Sequence, residues 1–434
     1  MLDEVTKNEI FSIIETAMED ENLWKYKMDL REQNHVIYGG HDLLISANIF
    51  ALDHNSHRRC MHLYIKISEK SKSKNTLNKK VYRREKYVFV KIISAIFNFL
   101  KTNISIWYRP CDMDFIPVPY KMFSTETREV LMFNSIIHLG YKPHTDELFA
   151  TPSMKYCILK HMANLHAISF AFRVHKREEF EEIMREWQEE TSTKEMFLQL
   201  PNIEQKVQVG LELTMDILVE ENRLDLIELL QKDIQEGAMT VITNILSDVP
   251  DDNVIIHGDC WMHNVVSKTV ENGTETSTKI KLIAWQLAAL HSPVLDLAYF
   301  LYFTYTEETN EKFEDYVEYY YNEFCDCMLK CDSDPQQLFP FTRLLEHFLK
   351  YSPYCLILAL VGIPFIMINS CLNNNICIRE NRNHFEDPEM KENCEYCNCN
   401  YESMKYVNLK EELRNSIKEK ILGILELHYK YFRV

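Results

Sequence analysis

DNVIIHGDCWMHNVVSKTV occupies residues 252–270, and it is followed by Asn272-Gly273 and by TKIKLIAWQ at residues 278–286. The apolar run before His257 predicts a strand that enters a polar loop and leaves it, after Asn264, as a second strand. Asn-Gly between two strand-like runs is the strongest short signal for a hairpin. The sequence therefore predicts a strand, a loop of polar residues and a hairpin.

Asp259 and Asn264 lie five residues apart within that loop. The same interval separates the Asp and Asn of the kinase catalytic loop, where the carboxylate accepts the proton of the substrate hydroxyl and the amide binds metal. A loop between two strands can direct both side chains into one cleft. We therefore predict that Asp259 is a catalytic base and Asn264 a metal ligand.

The string HGDCWMHN resembles the signature His-Gly-Asp-x-Trp-x-x-Asn of the ecdysteroid-kinase-like family of insects, which is related to choline and aminoglycoside kinases. The matching residues are His257, Gly258, Asp259, Trp261 and Asn264. The resemblance implies a protein-kinase-like fold that transfers a phosphoryl group from ATP, with Mg, to a small hydroxylated molecule. A steroid is one candidate for that molecule.

The second half of the family signature resembles Ile-Asp-Phe-Gln, followed by Ser-Pro and an Asp-Leu-Ala helix start. This chain has Ile283-Ala284-Trp285-Gln286, so Ala284 stands at the position of the metal-binding Asp. The resemblance implies that Asp296 is a structural acid that holds the catalytic loop. Loss of a fixed negative charge at residue 284 predicts impaired phosphoryl transfer.

Further parts of the chain extend the resemblance. Lys66, in HLYIKI, occupies the place of the lysine that contacts nucleotide phosphates, and Glu85 resembles its ion-pair partner. His166, in MANLHAISFAF, is interpreted as a packed core residue. Two other segments depart from the family: GHDLLI at residues 40–45 replaces the phosphate-covering turn, and FNSI at residues 133–136 replaces the usual lobe hinge.

The order of apolar patterns predicts an α+β, two-lobed fold. Strand-like runs at residues 43–51, 62–67 and 130–137 flank a helical pattern at residues 81–100. From Thr151 onward the patterns are mostly helical, with long stretches at residues 154–185 and 203–235. We therefore predict a β-rich N-lobe over residues 1–136 and a helical C-lobe over residues 137–434.

The net charge of −17 opposes binding to nucleic acid or to an anionic membrane surface, because both would be repelled at long range. The basic stretch at residues 70–86 is interpreted as a solvated loop that runs into a helix. The amino terminus is acidic and amphipathic, which predicts a cytosolic protein without a secretory signal. The apolar run at residues 354–371 is interpreted as a core helix kinked at Pro364 rather than as a membrane span. The sequence carries no signal for an oligomeric state.

The chain has 13 cysteines, an odd number that is spread widely and predicts free thiols. Neither local cluster has the paired spacing of a zinc site. The clusters are Cys325, Cys327 and Cys331, and Cys394, Cys397 and Cys399.

Three hypotheses stay open at this point. The first is a small-molecule kinase with a substitute acid, and the second is a pseudokinase that binds a ligand or a protein. The third is a metallohydrolase or thiol site built from His257, Asp259, Cys260 and His263. The substrate is not predicted, because apolar residues at 197–219 and 351–365 fit a pocket lining and ordinary packing equally.

Overall fold

The structure, a computed structural model, describes residues 4–18, 23–32, 43–53, 57–68, 70–71, 73, 76–103, 113–190, 192–272, 275–373 and 411–432. Five antiparallel strands near the amino terminus form one sheet in the order β1-β2-β3-β5-β4. They are β1 (Leu23–Glu32), β2 (Leu43–Asp53), β3 (Arg58–Ile67), β4 (Pro119–Ser124) and β5 (Glu129–Asn134).

The two-residue period of β3 separates the two faces of this sheet. Leu63, Ile65 and Ile67 are buried on one face, in an apolar cluster that also contains residues of the first helix. Lys66 alternates with them, so its side chain lies on the opposite face. Pairing places Lys66 across from Leu44 in β2 and Leu131 in β5, at the centre of the sheet.

Helices cover both faces of the sheet. α1 (Glu4–Met18) covers one face and α2 (Leu77–Tyr87) the other, and a π-helical segment, Val88–Ile93, joins α2 to a third helix, α3 (Ser94–Asn103). The Thr76 hydroxyl caps the start of α2 by accepting from the Lys79 backbone N–H. The basic stretch at residues 70–86 therefore runs into a helix, as expected, and within that helix Lys79 and Arg84 are buried.

The remainder of the described chain is mostly helical, which confirms the predicted α+β fold class. It begins with α4 (Pro152–His175), α5 (Arg177–Glu190), α6 (Thr193–Leu198), α7 (Ile203–Glu220), α8 (Leu224–Asp233) and α9 (Ala238–Ser247). After the β elements follow α10 (Val294–Phe303), α11 (Glu307–Glu311), α12 (Phe313–Lys330), α13 (Pro335–Leu338), α14 (Phe341–Asn373) and α15 (Glu411–Tyr431). The lobe boundary after residue 136 stays a prediction.

The predicted strand, loop and hairpin are present within this helical part. The strands are β6 (Lys142–Pro143), β7 (Val254–Ile256), β8 (Val265–Asn272), β9 (Glu275–Leu282) and β10 (Ala289–His291). β8 and β9 form the hairpin, with Asn272 paired to Glu275, and β7 pairs with β10. The loop between β7 and β8 therefore lies between two small sheets.

One described helix is long and apolar enough to cross a membrane by length and composition alone, at Phe341–Ser370 with a mean hydropathy of 2.0. It packs against α7, α9, α10 and α15, and 61% of its most apolar window is buried inside the protein. At Gly210 of α7, an added Cβ would lie 2.7 Å from the Cα of Val361 in α14. The two helices therefore pack directly on each other there, which is how a core helix behaves.

Among the described cysteines, one is not the free thiol that the sequence predicts. Among the described residues the free thiols are Cys60, Cys157, Cys260, Cys325, Cys331 and Cys355. Cys327 is disulfide-bonded, so the expectation of free thiols is wrong for this residue. Which thiols meet depends on long-range packing, which spacing along the chain does not reveal. The cluster at Cys394, Cys397 and Cys399 lies outside the described residues.

Candidate active site

The loop after β7 needs a glycine at its second position. Gly258 has a φ of 78°, in the left-handed region that glycine adopts without strain. A Cβ at this position would lie 2.1 Å from the backbone oxygen of Leu287. The close approach of these two backbone segments brings the loop against the segment that follows β9.

Asp296, in the first turn of α10, holds the loop by its backbone. One carboxylate oxygen accepts the backbone N–H of His257 at 2.7 Å, and the other accepts that of Gly258 at 2.8 Å. His166 lies 3.2 Å from the same carboxylate and is completely buried. Burial alone would raise the pKa of Asp296, but the hydrogen bond from His166 and the nearby histidines lower it below its ordinary value. A structural acid at this position is what the resemblance implies.

Asp259 and Asn264 face each other across the loop. The Asn264 amide nitrogen donates to the Asp259 carboxylate at 2.8 Å and to the Asp259 backbone oxygen at 2.9 Å. The Tyr299 hydroxyl donates to the other carboxylate oxygen at 3.1 Å. Burial raises the pKa of Asp259, and the two hydrogen bonds oppose that rise without cancelling it. A buried carboxylate with a raised pKa is suited to accept a proton.

His257 ties the loop to the end of β9. Its Nδ1 accepts the backbone N–H of Asp259 at 3.3 Å, which leaves Nε2 to donate to the backbone oxygen of Ile283 at 3.0 Å. The backbone N–H of Ile283 in turn donates to the Asn264 backbone oxygen at 2.9 Å. The residue before Ala284 is therefore fixed to the Asp259–Asn264 loop.

Lys66 and Glu85 form a buried ion pair between β3 and α2. The second Glu85 oxygen accepts the backbone N–H of Trp285 at 3.3 Å. The residue after Ala284 is therefore joined to the Lys66–Glu85 pair. Residues 283 and 285, on either side of Ala284, are therefore bonded to the two predicted pairs, Asp259–Asn264 and Lys66–Glu85.

Ala284 has a left-handed backbone, with φ 66° and ψ 60°. Asp and Asn adopt this region several-fold more often than other residues with a Cβ, whereas alanine gains nothing from it. Its methyl group also carries no charge or lone pair. Residue 284 therefore has a backbone conformation that an aspartate would tolerate, but its side chain is that of alanine.

The residues present do not fit a conventional two-ligand magnesium site. Asn264 is the one oxygen ligand expected from the loop, and Ala284 cannot supply a second. Within the described ranges, three or more His, Cys, Asp or Glu residues nowhere converge in a way that could hold a metal ion. Of the segment at residues 40–45 that stands in place of the phosphate-covering turn, residues 43–45 begin β2 and residues 40–42 lie outside the described residues, so its contribution stays a prediction.

The metallohydrolase hypothesis is wrong on the same geometry. His257 bonds to backbone groups, whereas His263 lies 2.6 Å from Glu147 on another segment. Cys260 is completely buried, and burial raises the pKa of its thiol well above the ordinary value, which makes it a poor nucleophile. These side chains neither converge on a metal nor activate the thiol.

Sequence reasoning missed two contacts. Tyr299 donates to Asp259, and its place three residues after Asp296 on one helix face could have suggested that it lies over the loop. The link from Glu85 to the Trp285 backbone carries no sequence signal, because any residue at 285 has an N–H group. Glu85 therefore joins both parts of the site.

Comparison with known proteins shows the family of the chain. The model of the ecdysteroid kinase-like family matches residues 43–333, which is more than half of the 434-residue chain. The match includes Lys66, Glu85, the loop and residue 284. No curated protein matches the chain.

Proposed function

The chain belongs to the ecdysteroid kinase-like family, and from this premise we propose that it is a small-molecule O-phosphotransferase whose turnover Ala284 impairs. ATP is the proposed donor, and the acceptor is a hydroxyl group of a small molecule, for which a steroid is one candidate. One observation carries the proposal. The backbone of residue 283 bonds to Asn264 and the backbone of residue 285 bonds to Glu85, which supports a single site formed by the two predicted pairs.

The site residues have distinct roles in this proposal. Asp259 orients the acceptor hydroxyl and accepts its proton, because its carboxylate is fixed by Asn264 and Tyr299. Lys66, held by Glu85, neutralises charge on the phosphates of the donor. ATP supplies the phosphoryl group when bound.

The alanine at residue 284 is expected to lower the rate of phosphoryl transfer. Removing one well-placed electrostatic group costs about 3 to 4 kcal/mol in the transition state, which corresponds to a rate lower by about 100-fold to 1,000-fold. We therefore expect slow transfer. Incubation with Mg-ATP and a panel of steroid, choline-like and amino-sugar alcohols should give slow, magnesium-dependent phosphorylation that Lys66→Met abolishes. Absence of both transfer and ATP hydrolysis would contradict the proposal.

A second candidate is a pseudokinase that binds a ligand or a protein without turnover. It is favoured by Ala284 and by the lack of converging acids among the described residues. Calorimetry with ATP, in the presence and absence of magnesium, separates the two. Tight metal-dependent binding rejects the pseudokinase, whereas weak binding that magnesium does not alter favours it.

The proposed partner is a small molecule in the cytosol rather than nucleic acid or a membrane. The net charge of −17 supports this choice, since it repels phosphate-rich surfaces. A filter-binding measurement at low salt checks it: retention of labelled RNA or DNA by the purified protein would count against it.

A further inference from the structure

Cys60, His62 and Asn48 form a hydrogen-bonded row on one face of the N-terminal sheet. Cys60 and His62 are two residues apart in β3, so their side chains lie on the same face, and Asn48 of β2 is paired directly with His62. The Asn48 side-chain oxygen lies 2.6 Å from the His62 Nδ1, and the Cys60 Sγ lies 3.2 Å from the His62 Nε2. A thiol, a base and a group that orients the base therefore follow one another, as nucleophilic chemistry requires.

The Asn48 oxygen fixes the tautomer of His62. An amide oxygen only accepts, so Nδ1 carries the ring hydrogen and donates it, which leaves the lone pair of Nε2 to accept from the Cys60 S–H group. Burial and the ring of His138, which is stacked at 3.3 Å between ring centres, lower the pKa of His62. The imidazole is therefore neutral at pH 7 and can take up the proton of the thiol.

Cys60 is the exposed thiol among the described free cysteines. The others are buried or half-buried, and burial raises the pKa of each, which keeps them in the unreactive thiol form. They are Cys157, Cys260, Cys325, Cys331 and Cys355. Cys60 also helps to line a cavity of about 340 Å³ with its cross-strand neighbour Phe50, so there is room beside it for an added group.

We propose that Cys60 is a modification site that forms a mixed disulfide with a small disulfide molecule, with His62 as the base. The imidazole takes the proton of the thiol, and the Cys60 sulfur attacks one sulfur of the small molecule. A new S–S bond forms, the original S–S bond breaks, and the departing thiolate takes the proton from His62. Cys60 lies about 20 Å along β3 from Lys66, so this site is separate from the candidate active site and does not depend on phosphoryl transfer.

Incubation with glutathione disulfide, followed by peptide mapping with mass spectrometry, measures the rate of mixed-disulfide formation at each cysteine. Cys60 should react at least about threefold faster in the folded protein than in protein unfolded in urea at the same pH, because the fold supplies the base. Cys157 is the internal control and should show the opposite order, because folding half-buries it. A rate at Cys60 that is no higher in the folded protein would overturn the proposal.

His62→Gln tests the base, because glutamine cannot take up the proton. In the folded variant the rate at Cys60 at pH 7 should fall by about threefold or more, and its pH profile should become that of an ordinary thiol, with a midpoint at about pH 8.5. His175→Gln, at an exposed site at the end of α4, should leave the rate at Cys60 unchanged. A slow reaction at Cys157 verifies that each variant is folded. An unchanged rate and pH profile in folded His62→Gln would show that Cys60 is an ordinary exposed thiol and refute the proposal.

Discussion

The Asn264 amide nitrogen donates at 2.8 Å to the carboxylate of Asp259, five residues before it in the chain. Both side chains are buried, and they face each other rather than apart. The contact uses the amide nitrogen, which leaves the amide oxygen outside this bond. The pair therefore has the arrangement on which a kinase-like interpretation of the loop depends.

Gly258→Ala should disrupt the loop. The new Cβ would lie 2.1 Å from the Leu287 backbone oxygen, at a φ of +78°. We expect the free energy of unfolding, measured with urea, to fall by more than about 2 kcal/mol.

Gly140→Ala is the matched control for this substitution. Its φ is +86°, but no atom lies within 4 Å of the added Cβ. It should therefore cost only the backbone strain, about 1 kcal/mol. Equal losses in the two variants would contradict the importance of the contact with Leu287.

Asp296→Asn should destabilise the same loop through its backbone contacts. The amide keeps the shape of the carboxylate but has one acceptor oxygen for the two N–H groups of His257 and Gly258. We expect a loss of about 2 to 4 kcal/mol in the free energy of unfolding. Asp216→Asn, at an exposed site in α7, should change it by less than about 0.5 kcal/mol. A comparably small effect at Asp296 would show that its charge does not hold the loop.

Ala284→Gly should stabilise the protein, because the backbone at residue 284 is left-handed. Glycine adopts this region without strain, and we expect a gain of about 0.5 to 1 kcal/mol in the free energy of unfolding. Ala163→Gly, inside α4, should instead cost about 1 kcal/mol. If the free energy of unfolding fell in both variants, this would argue against the left-handed conformation at residue 284.

Much of this site could be predicted from the sequence, since it depends on local patterns. The apolar run before His257, the interval from Asp259 to Asn264 and the hairpin signal at Asn272 all concern neighbouring residues. The alternation in β3 also assigns Lys66 to one face of its strand. Features that depend only on neighbouring residues can be predicted from the sequence.

Other features depend on residues distant in the chain and could not be predicted. The helical pattern at residues 203–235 divides into α7 and α8, and that at residues 154–185 divides at Lys176. The burial of Arg84 follows from its contacts with Trp187 and Ala288, which lie on other elements. The backbone bond from Trp285 to Glu85 depends on the docking of α2.

Stability should fall with decreasing pH partly because of His428. This side chain is 1% exposed on α15, and burial lowers its pKa to about 3 from an ordinary value of 6.5. Below pH 6.5 the unfolded chain binds a proton that the folded chain does not, so the free energy of unfolding decreases as pH falls from 6.5 towards 3.

His428→Gln, which cannot titrate, isolates this contribution. Between about pH 7.5 and 5.5 the original protein should lose about 1 kcal/mol more stability than the variant, measured by urea unfolding at each pH. Parallel pH profiles for the two proteins would show that His428 is not held neutral in the fold.

Replacement of Ala284 by Asp tests the central claim most directly, because it would return a carboxylate to the point between the Asp259–Asn264 and Lys66–Glu85 pairs. Ala284→Asn is the matched control, since Asn suits the same left-handed backbone but carries no charge. Magnesium-dependent formation of ADP from ATP should rise by about 100-fold or more in Ala284→Asp and stay at the original level in Ala284→Asn. A folded Ala284→Asp protein with no gain over Ala284→Asn would contradict the account.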